Sequence, residues 1–289
     1  MTILCIGEAL VDLIATDPGP LADATSFTTV PGGAPTNVAL AVSALGGAAS
    51  LAACLGSDEL GDLLIGVLTE SDVDTTRVQR THHPTTVVRV TSQRGTPEFS
   101  VERGADRFLD AEIDLTDVAL VHTTAFALSL DPERSTILRT FEAAAKRGIS
   151  TSFDINFSPL VWTQSISEAH AILARAVGLA TYLKCSVDDM ARTFGPDWDM
   201  DRIYRWGTPT AVMTAGRDHT TVFVEGEIVA EVPVPPAPVI DTTGAGDAFW
   251  GGFLTAVEAG SPLTAAVNRG HEVAALKVGK VGPLIDRVT

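Results

Sequence analysis

The stretch that decides the fold is Asp241-Thr242-Thr243-Gly244-Ala245-Gly246-Asp247-Ala248-Phe249. It follows the apolar pair Val239-Ile240, which predicts the end of a strand, and it precedes the apolar run 248–257, which predicts a helix. A turn of small residues between a strand and a helix presents backbone N–H groups at the positive end of the helix dipole. The turn is therefore typical of a phosphate-binding site in an α/β protein.

Two common nucleotide-binding motifs are absent from the chain. A dinucleotide fingerprint starting at Gly244 would need glycine at position 249, where phenylalanine stands, and G-x-x-x-x-G-K followed by serine or threonine occurs nowhere.

Asp247, at the end of the turn, has two interpretations. It is either a helix N-cap, a position that aspartate fills well, or a base that accepts the proton of a hydroxyl attacking the bound phosphate, kept ionised by the helix dipole.

The run from Asp241 to Phe249 resembles the C-terminal signature of the ribokinase/fructokinase family of sugar kinases, also called the phosphofructokinase-B family. The resemblance extends over nearly the whole chain and implies ATP-dependent phosphorylation of a sugar hydroxyl, with Asp247 as catalytic base and with Mg²⁺ bound alongside ATP. The anion hole that it implies consists of Gly244, Ala245 and Gly246. The candidate ligands that it implies for a monovalent cation such as K⁺ are Asp241 and Thr243.

The sugar end is predicted near the N-terminus, where Pro31-Gly32-Gly33-Ala34-Pro35-Thr36-Asn37 looks like the G-G-x-x-x-N motif of the family. Gly32 and Gly33 predict either a plain turn or a close approach of the backbone to a ligand. Asn37 offers a donor and an acceptor to a sugar hydroxyl. Asp12 is either a solvated strand-end carboxylate or, as the resemblance implies, a ligand of the sugar, with Glu8 as a second candidate.

Arg103, in Arg103-Gly104-Ala105-Asp106, lies in a run that is similar to one in fructokinases. It is either a substrate-binding residue or a solvated arginine of a lid.

The segment Phe153-Asp154-Ile155-Asn156-Phe157-Ser158 resembles one found in fructokinases and in kinases of keto-deoxy sugar acids. Ser158 replaces the arginine of that pattern, and a cation there would suit a carboxylate or phosphate. The replacement argues against a sugar acid as substrate.

The nucleotide end is predicted to include Lys184, which follows a predicted strand. Ser186 and Asp189 are also assigned to it, because they have the spacing of the N-x-x-E element that organises Mg²⁺ through water in the family. Aspartate keeps the oxygen ligand that Mg²⁺ prefers but shortens its reach. Thr214-Ala215-Gly216 resembles the T-x-G element beside the nucleotide, although His219 stands where a further glycine is usual. His271 is predicted on a helix near the adenine, where the family more often has asparagine.

These motifs leave the substrate open. Fructose or a related ketohexose is the first expectation. A 2-keto-3-deoxy sugar acid, ribose, a nucleoside or a vitamin is the alternative on the same fold. A sugar-binding regulator without catalysis is the alternative from another class, and the substitutions at Ser158 and His219 are its best support.

The whole chain of 289 residues, 45% hydrophobic and 19% charged, is expected to form one kinase domain, 1–289. Apolar runs alternate with helical patterns between residues 119 and 214, which predicts a mainly parallel sheet with helices on both faces. Two segments rich in threonine and valine, 11–30 and 85–101, predict antiparallel hairpins. With the resemblance, this predicts a three-layer ribokinase-like fold with a small β-sheet lid.

The composition of the chain limits which kinds of binding partner are expected. A net charge of −16 disfavours binding to nucleic acid or anionic membranes. The uncharged run 31–57 is split by Gly46-Gly47 and predicts a helix and a buried strand, not a membrane span. Three cysteines without a C-x-x-C pair and no secretory signal favour a cytoplasmic protein. The expected partners are a small sugar, ATP and a second copy of the chain, since unpaired lid edges favour a homodimer.

Overall fold

The computed structural model describes residues 1–17, 19–91, 99–207 and 210–280. Residue 18 and residues 92–98, which belong to the two segments predicted as lid hairpins, lie outside the described residues. The strands are β1 Thr2–Ile6, β2 Leu10–Ala15, β3 Phe27–Gly32, β4 Ala49–Ala52, β5 Cys54–Gly56, β6 Gln79–Thr81, β7 Val87–Val90, β8 Phe99–Glu102, β9 Val118–Thr124, β10 Ser150–Asp154, β11 Tyr182–Ser186, β12 Thr210–Thr214, β13 His219–Val224 and β14 Glu227–Pro233. The α-helices are α1 Ala34–Ala44, α2 Glu59–Glu70, α3 Glu133–Lys146, α4 Ile166–Val177, α5 Val187–Phe194, α6 Asp201–Tyr204, α7 Ala245–Glu258 and α8 Leu263–Val278.

The central sheet has the strand order β14-β13-β12-β11-β10-β9-β1-β4. The strands from β12 to β4 are parallel, whereas β13 and β14 form an antiparallel extension at one edge. Along β1, Leu4 and Ile6 pack into a hydrophobic cluster with α3 and α4, while Ile3 and Cys5 pack into another with α1, α7 and α8. Since alternate residues of a strand face opposite sides, helices cover both faces of the sheet. The predicted three-layer α/β fold is confirmed.

A second, smaller sheet has the order β3-β2-β7-β8. Each predicted segment forms an antiparallel pair, β2 with β3 and β7 with β8, and the two pairs are joined by parallel pairing of β2 with β7. This sheet is the predicted β lid. β2 begins only four residues after the end of β1, so the lid is attached directly to a central strand of the body.

The connection into the phosphate-binding turn differs from the prediction. Val239-Ile240, predicted as the end of a strand, does not form one. Instead, the N–H groups of Ile240 and Asp241 both donate to the carbonyl of Val278, at the end of α8. The apolar pair is thus held by a helix end and not by the sheet.

The uncharged run 31–57 forms α1 followed by β4 and β5, as two separate strands in different sheets. Among the described residues, no helix combines the length and the apolar character needed to cross a membrane.

Helices α1 and α7 approach each other closely at Gly251. A Cβ atom at this position would lie 2.6 Å from the Cβ of Ala41 and 3.4 Å from the carbonyl oxygen of Val38. Glycine in the middle of a helix normally costs stability relative to alanine. Here the missing side chain lets the two helix backbones pack against each other.

We expect Gly251→Ala to lower the free energy of unfolding by about 1–3 kcal/mol, because the added methyl group overlaps Ala41 in a closed interface. Gly66→Ala in α2 is the matched control, since a Cβ there would have no neighbour within 4 Å, and it should be neutral or stabilising by up to about 1 kcal/mol. Urea denaturation measures both. Equal effects of the two substitutions would contradict the assigned packing of α1 on α7.

Candidate active site

The predicted sugar end and the predicted phosphate end meet at one hydrogen bond. The side-chain Nδ2 of Asn37 donates to Oδ2 of Asp247 over 2.8 Å, across 210 residues of sequence. Asn37 is in the first turn of α1 and Asp247 in the first turn of α7, so the positive ends of two helix dipoles converge here.

Helix α7 begins earlier than the sequence predicts. Gly244 has a φ of 72°, a left-handed conformation that glycine adopts without strain, and the helix starts at Ala245. Asp247 is therefore the third helical residue and not the N-cap, so that interpretation of Asp247 is wrong. Its carboxylate accepts a hydrogen bond from Asn37 instead of capping its own helix. The N–H groups of Gly246 and Asp247 make no backbone hydrogen bond with the described residues and remain available to an anion.

Lys184 lies beneath this turn. Its Nζ donates to Oδ2 of Asp154 over 2.7 Å, and both side chains are buried. The pair forms because β10 and β11 are neighbours in which Asp154 stands opposite Lys184. A Cβ on Gly246 would lie 3.4 Å from the Lys184 ammonium. Although burial disfavours the charge, the carboxylates of Asp154, Asp189 and Asp247 raise the pKa of Lys184, so the turn is backed by a permanent positive charge.

Burial raises the pKa of Asp247 to about 6. The hydrogen bond from Asn37 and the charge of Lys184 lower it, and the nearby carboxylates of Asp154 and Asp12 raise it. The helix dipole alone predicted a fully ionised group, whereas burial moves its titration close to neutrality. Asp247 is still mostly ionised at pH 7 and can then accept a proton.

Asp12 reaches the same region from the lid strand β2. Its carboxylate lies against Gly32 of β3, where a Cβ would stand 2.4 Å from Oδ2 of Asp12. Burial raises the pKa of Asp12 to about 6. The next residue, Gly33, has a φ of 99°, and a Cβ there would lie 2.4 Å from the carbonyl oxygen of Glu8. The two glycines thus allow the lid to pass close to the start of α1.

Glu8 is part of the framework. Its carboxylate accepts hydrogen bonds from the Ala34 N–H over 3.1 Å and from the Thr124 hydroxyl, and its carbonyl accepts one from the Thr36 hydroxyl. The side chain is buried, and burial raises the pKa of Glu8 to about 8. Glu8 therefore connects β1 and β9 to the first turn of α1, which carries Asn37.

Arg103 lies in an internal network. Its guanidinium pairs with Asp106 over 2.7 Å and with Glu133 over 3.4 Å, donates to the Ser129 hydroxyl and stacks on the ring of Phe126. Only 11% of its side chain is exposed. It is not the solvated lid arginine of the alternative interpretation, and its contact with a substrate stays a prediction.

A cavity of ≈ 910 Å³ is lined by Ala245 and Gly246 of the turn and by His271 on α8. The residues that line the cavity are Thr214, Gly216, Arg217, Thr220, Val234, Pro235, Pro236, Ala237, Val239, Thr242, Ala245, Gly246, Phe249, His271, Ala274, Ala275 and Val278. The predicted nucleotide residues Thr214, Gly216 and His271 are thus brought together beside the anion hole.

His271 is a buried residue that lines this cavity. Its Nε2 is 2.9 Å from the Thr220 hydroxyl, and its ring centroid is 5.5 Å from that of Phe249. Its Nδ1 is buried and has no hydrogen-bond partner among the described residues. Burial lowers the pKa of His271, so the neutral ring is favoured.

Ser186 and Asp189 form the capping box of α5. The Ser186 hydroxyl accepts from the Asp189 N–H, and the Asp189 carboxylate accepts from the Ser186 N–H over 2.9 Å. Arg192 pairs with the other carboxylate oxygen. Both oxygens of the buried Asp189 therefore have protein partners, and the side chain does not present a ready ligand to Mg²⁺ or its water. Its predicted role in organising Mg²⁺ stays a prediction.

Asp241 and Thr243 lie at the start of the phosphate-binding turn. Oδ1 of Asp241 accepts the Thr243 N–H over 2.9 Å. The carbonyl oxygen of Asp241 accepts a hydrogen bond from the buried ammonium of Lys277 over 2.9 Å. The two candidate ligands of a monovalent cation are thus next to a cation that the chain itself supplies.

Sequence reasoning missed two residues of this region, Asp154 and Lys277. Asp154 had a signal, because polar residues at the carboxyl ends of parallel strands converge on the crevice where ligands bind. Lys277 had none, since a lysine near the end of a helix normally extends into solvent.

The chain matches known proteins over its whole length. Residues 2–288 match the model of the "pfkB family carbohydrate kinase". A fructokinase of Klebsiella pneumoniae is 34% identical over 268 residues, covering 89% of this chain and 84% of that protein. An aminoimidazole riboside kinase of Salmonella typhimurium is 31% identical over 260 residues, covering 86% of this chain and 78% of that protein.

A solved structure supports the same relationship. A double mutant of fructokinase from Vibrio cholerae O395, in a form bound to fructose, ADP and a potassium ion, superposes with a TM-score of 0.85 at 28% identity. The match covers 98% of this chain and 94% of that chain.

The raised pKa of Asp247 predicts a pH-dependent effect on stability. Between its ordinary value of 3.8 and about 6, the folded protein holds a proton that the unfolded chain releases, so this group contributes less stability as the pH rises through that window. We therefore expect Asp247→Asn to gain stability relative to the parent between pH 4 and pH 7. Urea denaturation at each pH measures the difference.

The matched control is Asp188→Asn, which removes one negative charge from an exposed position. A stability difference between Asp247→Asn and the parent that does not change with pH would contradict the assigned burial of Asp247.

Proposed function

Because the chain belongs to the pfkB family of carbohydrate kinases, we propose that this sugar kinase transfers the terminal phosphoryl group of ATP to a hydroxyl of fructose or a related ketohexose. The observation that carries the proposal is the hydrogen bond between Asn37 and Asp247. It joins the predicted sugar end to the predicted phosphate end at a single point, with the Asp247 carboxylate between them.

The proposed reaction uses the side chains around that point. Asp12 and Asn37 bind sugar hydroxyls, and Asp247 accepts the proton of the hydroxyl that attacks the phosphorus. The negative charge on the phosphoryl oxygens is stabilised by the free N–H groups at the start of α7 and by the ammonium of Lys184. Phosphoryl transfer depends mainly on positioning and electrostatics, so a carboxylate with a pKa of about 6 is an adequate base.

ATP is proposed to occupy the cavity between the turn and His271. Its volume of ≈ 910 Å³ is within the usual range of ligand pockets. Mg²⁺ is proposed to enter as the magnesium complex of ATP. The described part of the chain has no cluster of three or more histidine, cysteine, aspartate or glutamate side chains suited to a metal. Mg²⁺ that is held mainly by phosphates and water needs only one or two protein carboxylates.

Fructose is preferred over the other substrates on two grounds. Fructokinases are among the relatives at about a third identity, and Ser158 provides no cation for a sugar acid. A riboside is the second candidate, since an aminoimidazole riboside kinase is similar at 31% identity. A non-catalytic regulator is disfavoured by the intact arrangement of Asp247, Lys184 and the glycine turn.

We also propose that the chain acts as one kinase unit in the cytoplasm and pairs with a second copy through its lid. The three cysteines are free and buried, which suits a reducing compartment. The lid sheet has β3 and β8 at its edges, and Phe99 on β8 is 47% exposed. An edge that has no partner strand among the described residues is suited to another strand, and light scattering measures the resulting mass.

The substrate proposal is tested by incubating the protein with ATP, Mg²⁺ and a panel containing fructose, ribose, 2-keto-3-deoxygluconate and a purine nucleoside, with ADP release as the readout. We expect the highest kcat/KM with fructose. Asn37→Ala should raise the KM for the sugar far more than that for ATP, because a lost hydrogen bond to a buried hydroxyl costs about 1–3 kcal/mol. A higher kcat/KM with the nucleoside than with fructose would contradict the fructose proposal and favour a riboside as the substrate.

The role of Asp247 is tested by Asp247→Asn. The amide keeps the shape of the side chain but cannot accept the proton, so kcat should fall about 10²–10⁴-fold with both KM values nearly unchanged. Asp188→Asn is again the control and should retain the parent rate. An Asp247→Asn enzyme with more than about a tenth of the parent kcat would exclude Asp247 as the base.

A further inference from the structure

We infer that the ammonium group of Lys277 takes the place of a monovalent cation behind the phosphate-binding turn, so that this kinase works without potassium. The inference rests on the proposed kinase activity, and it concerns a side chain outside the sequence motifs that resemble the family. Lys277 lies in the last turn of α8, and its side chain is fully buried, with 0% exposed.

The acceptors around Lys277 form a small cage of oxygens. Its Nζ lies 2.9 Å from the carbonyl oxygen of Asp241, 3.4 Å from that of Lys280 and 3.5 Å from Oδ2 of Asp241. An ammonium has three protons to donate, and here it has three acceptors. Two carbonyls and a carboxylate are also the hard oxygen ligands that a simple metal cation takes.

Potassium does not fit this site while Lys277 is in place. The candidate ligand Asp241 directs both its carbonyl and a carboxylate oxygen at the ammonium. A second cation at the same oxygens would be repelled by Lys277 at close range. A double mutant of Vibrio cholerae fructokinase was solved with a potassium ion bound, whereas in this chain the oxygens of the candidate cation ligand Asp241 already bind a covalently attached ammonium.

The ammonium is connected to the phosphate-binding turn through Asp241. Asp241 receives Lys277 on its carbonyl and the Thr243 N–H on Oδ1, while the carbonyl of Val278 receives the N–H groups of Ile240 and Asp241. The end of α8 is thus bonded to the segment that leads into Gly244. Lys277 therefore holds the turn in its phosphate-binding conformation and adds a positive charge behind it.

A purely structural lysine is the competing explanation. Lysine near a helix C-terminus is stabilised by the helix dipole without any role in a site. The two explanations differ in their response to potassium. A cation substitute predicts that removal of the ammonium creates a requirement for a free cation, whereas a structural lysine predicts a loss of stability that no ion restores.

The experiment compares the parent, Lys277→Ala and Lys277→Met in buffers of equal ionic strength containing either potassium or tetramethylammonium. The parent should have the same kcat and the same melting temperature in both. Lys277→Ala leaves room for an ion, so in tetramethylammonium its kcat should fall at least about tenfold. Potassium should restore most of that loss and raise its melting temperature by about 2 °C or more. Lys277→Met fills the space without a charge, so potassium should not restore its activity.

Lys146→Met, at an exposed position on α3, is the control for loss of a lysine and should match the parent in both buffers. Activation of the parent by potassium of more than about tenfold would overturn the inference. So would a Lys277→Met enzyme with full activity, or a Lys277→Ala protein whose activity and melting temperature are unaffected by potassium.

The melting temperatures separate this inference from the proposed function. A parent protein that phosphorylates none of the sugars would remove the proposed function, while a potassium-dependent melting temperature confined to Lys277→Ala would still identify the cation site. If Lys277→Ala does not fold, the potassium response of the parent and the activity of Lys277→Met decide the question.

Discussion

The close packing of α1 against α7 is the constraint on which the site depends. Gly251 lies four residues after Asp247, and Ala41 lies four residues after Asn37. Residues four apart share one face of a helix, so the contact between Gly251 and Ala41 is one turn further along the same two faces that bear the Asn37–Asp247 hydrogen bond. Any side chain at position 251 would separate the helices and with them the two halves of the site.

Buried lysines and carboxylates balance each other's charge around the packed helices α1 and α7. Lys184 is buried among the carboxylates of Asp154, Asp189 and Asp247, and Lys277 is buried against Asp241. In a chain with a net charge of −16, these two lysines and the free amides of the turn provide local positive potential for phosphate. Burial raises the pKa values of Asp12 and Asp247 to about 6, so both carboxylates titrate close to neutral pH.

Much of the fold could be predicted from the sequence where local signals agree with tertiary packing. The alternation of apolar runs and helical patterns between residues 119 and 214 includes α4, where Ser165 and Glu168 form a capping box, and the apolar run of β12. Val239-Ile240 has the same apolar character but forms no strand, because its backbone bonds to the end of α8. Whether this pair bonds to the sheet or to the end of α8 depends on long-range packing, and local composition does not indicate it.

In the site, too, residues in local motifs could be predicted, whereas residues that depend on long-range packing could not. Asn37 and Asp247 were predicted because each lies in a motif with glycines at fixed spacing, and the structure brings the two together. Lys277 was not predicted, because its function depends on burial against Asp241, a contact that only the packed chain defines. Arg103 and Asp189 were predicted from motifs, but each also has a partner from outside its motif, Glu133 for Arg103 and Arg192 for Asp189.

The position of Asp12 has a consequence for turnover. Its carboxylate comes from the lid strand β2, whereas Asp247 and Asp154 belong to the body, and the charges of Asp12 and Asp154 both raise the pKa of Asp247. They are suited to a neutral sugar. In the proposed reaction, a sugar phosphate formed among them carries between about one and two negative charges at neutral pH, and these carboxylates repel it as they do not repel an uncharged sugar. In the proposed reaction, the carboxylate of Asp12 on the lid strand therefore favours departure of the product.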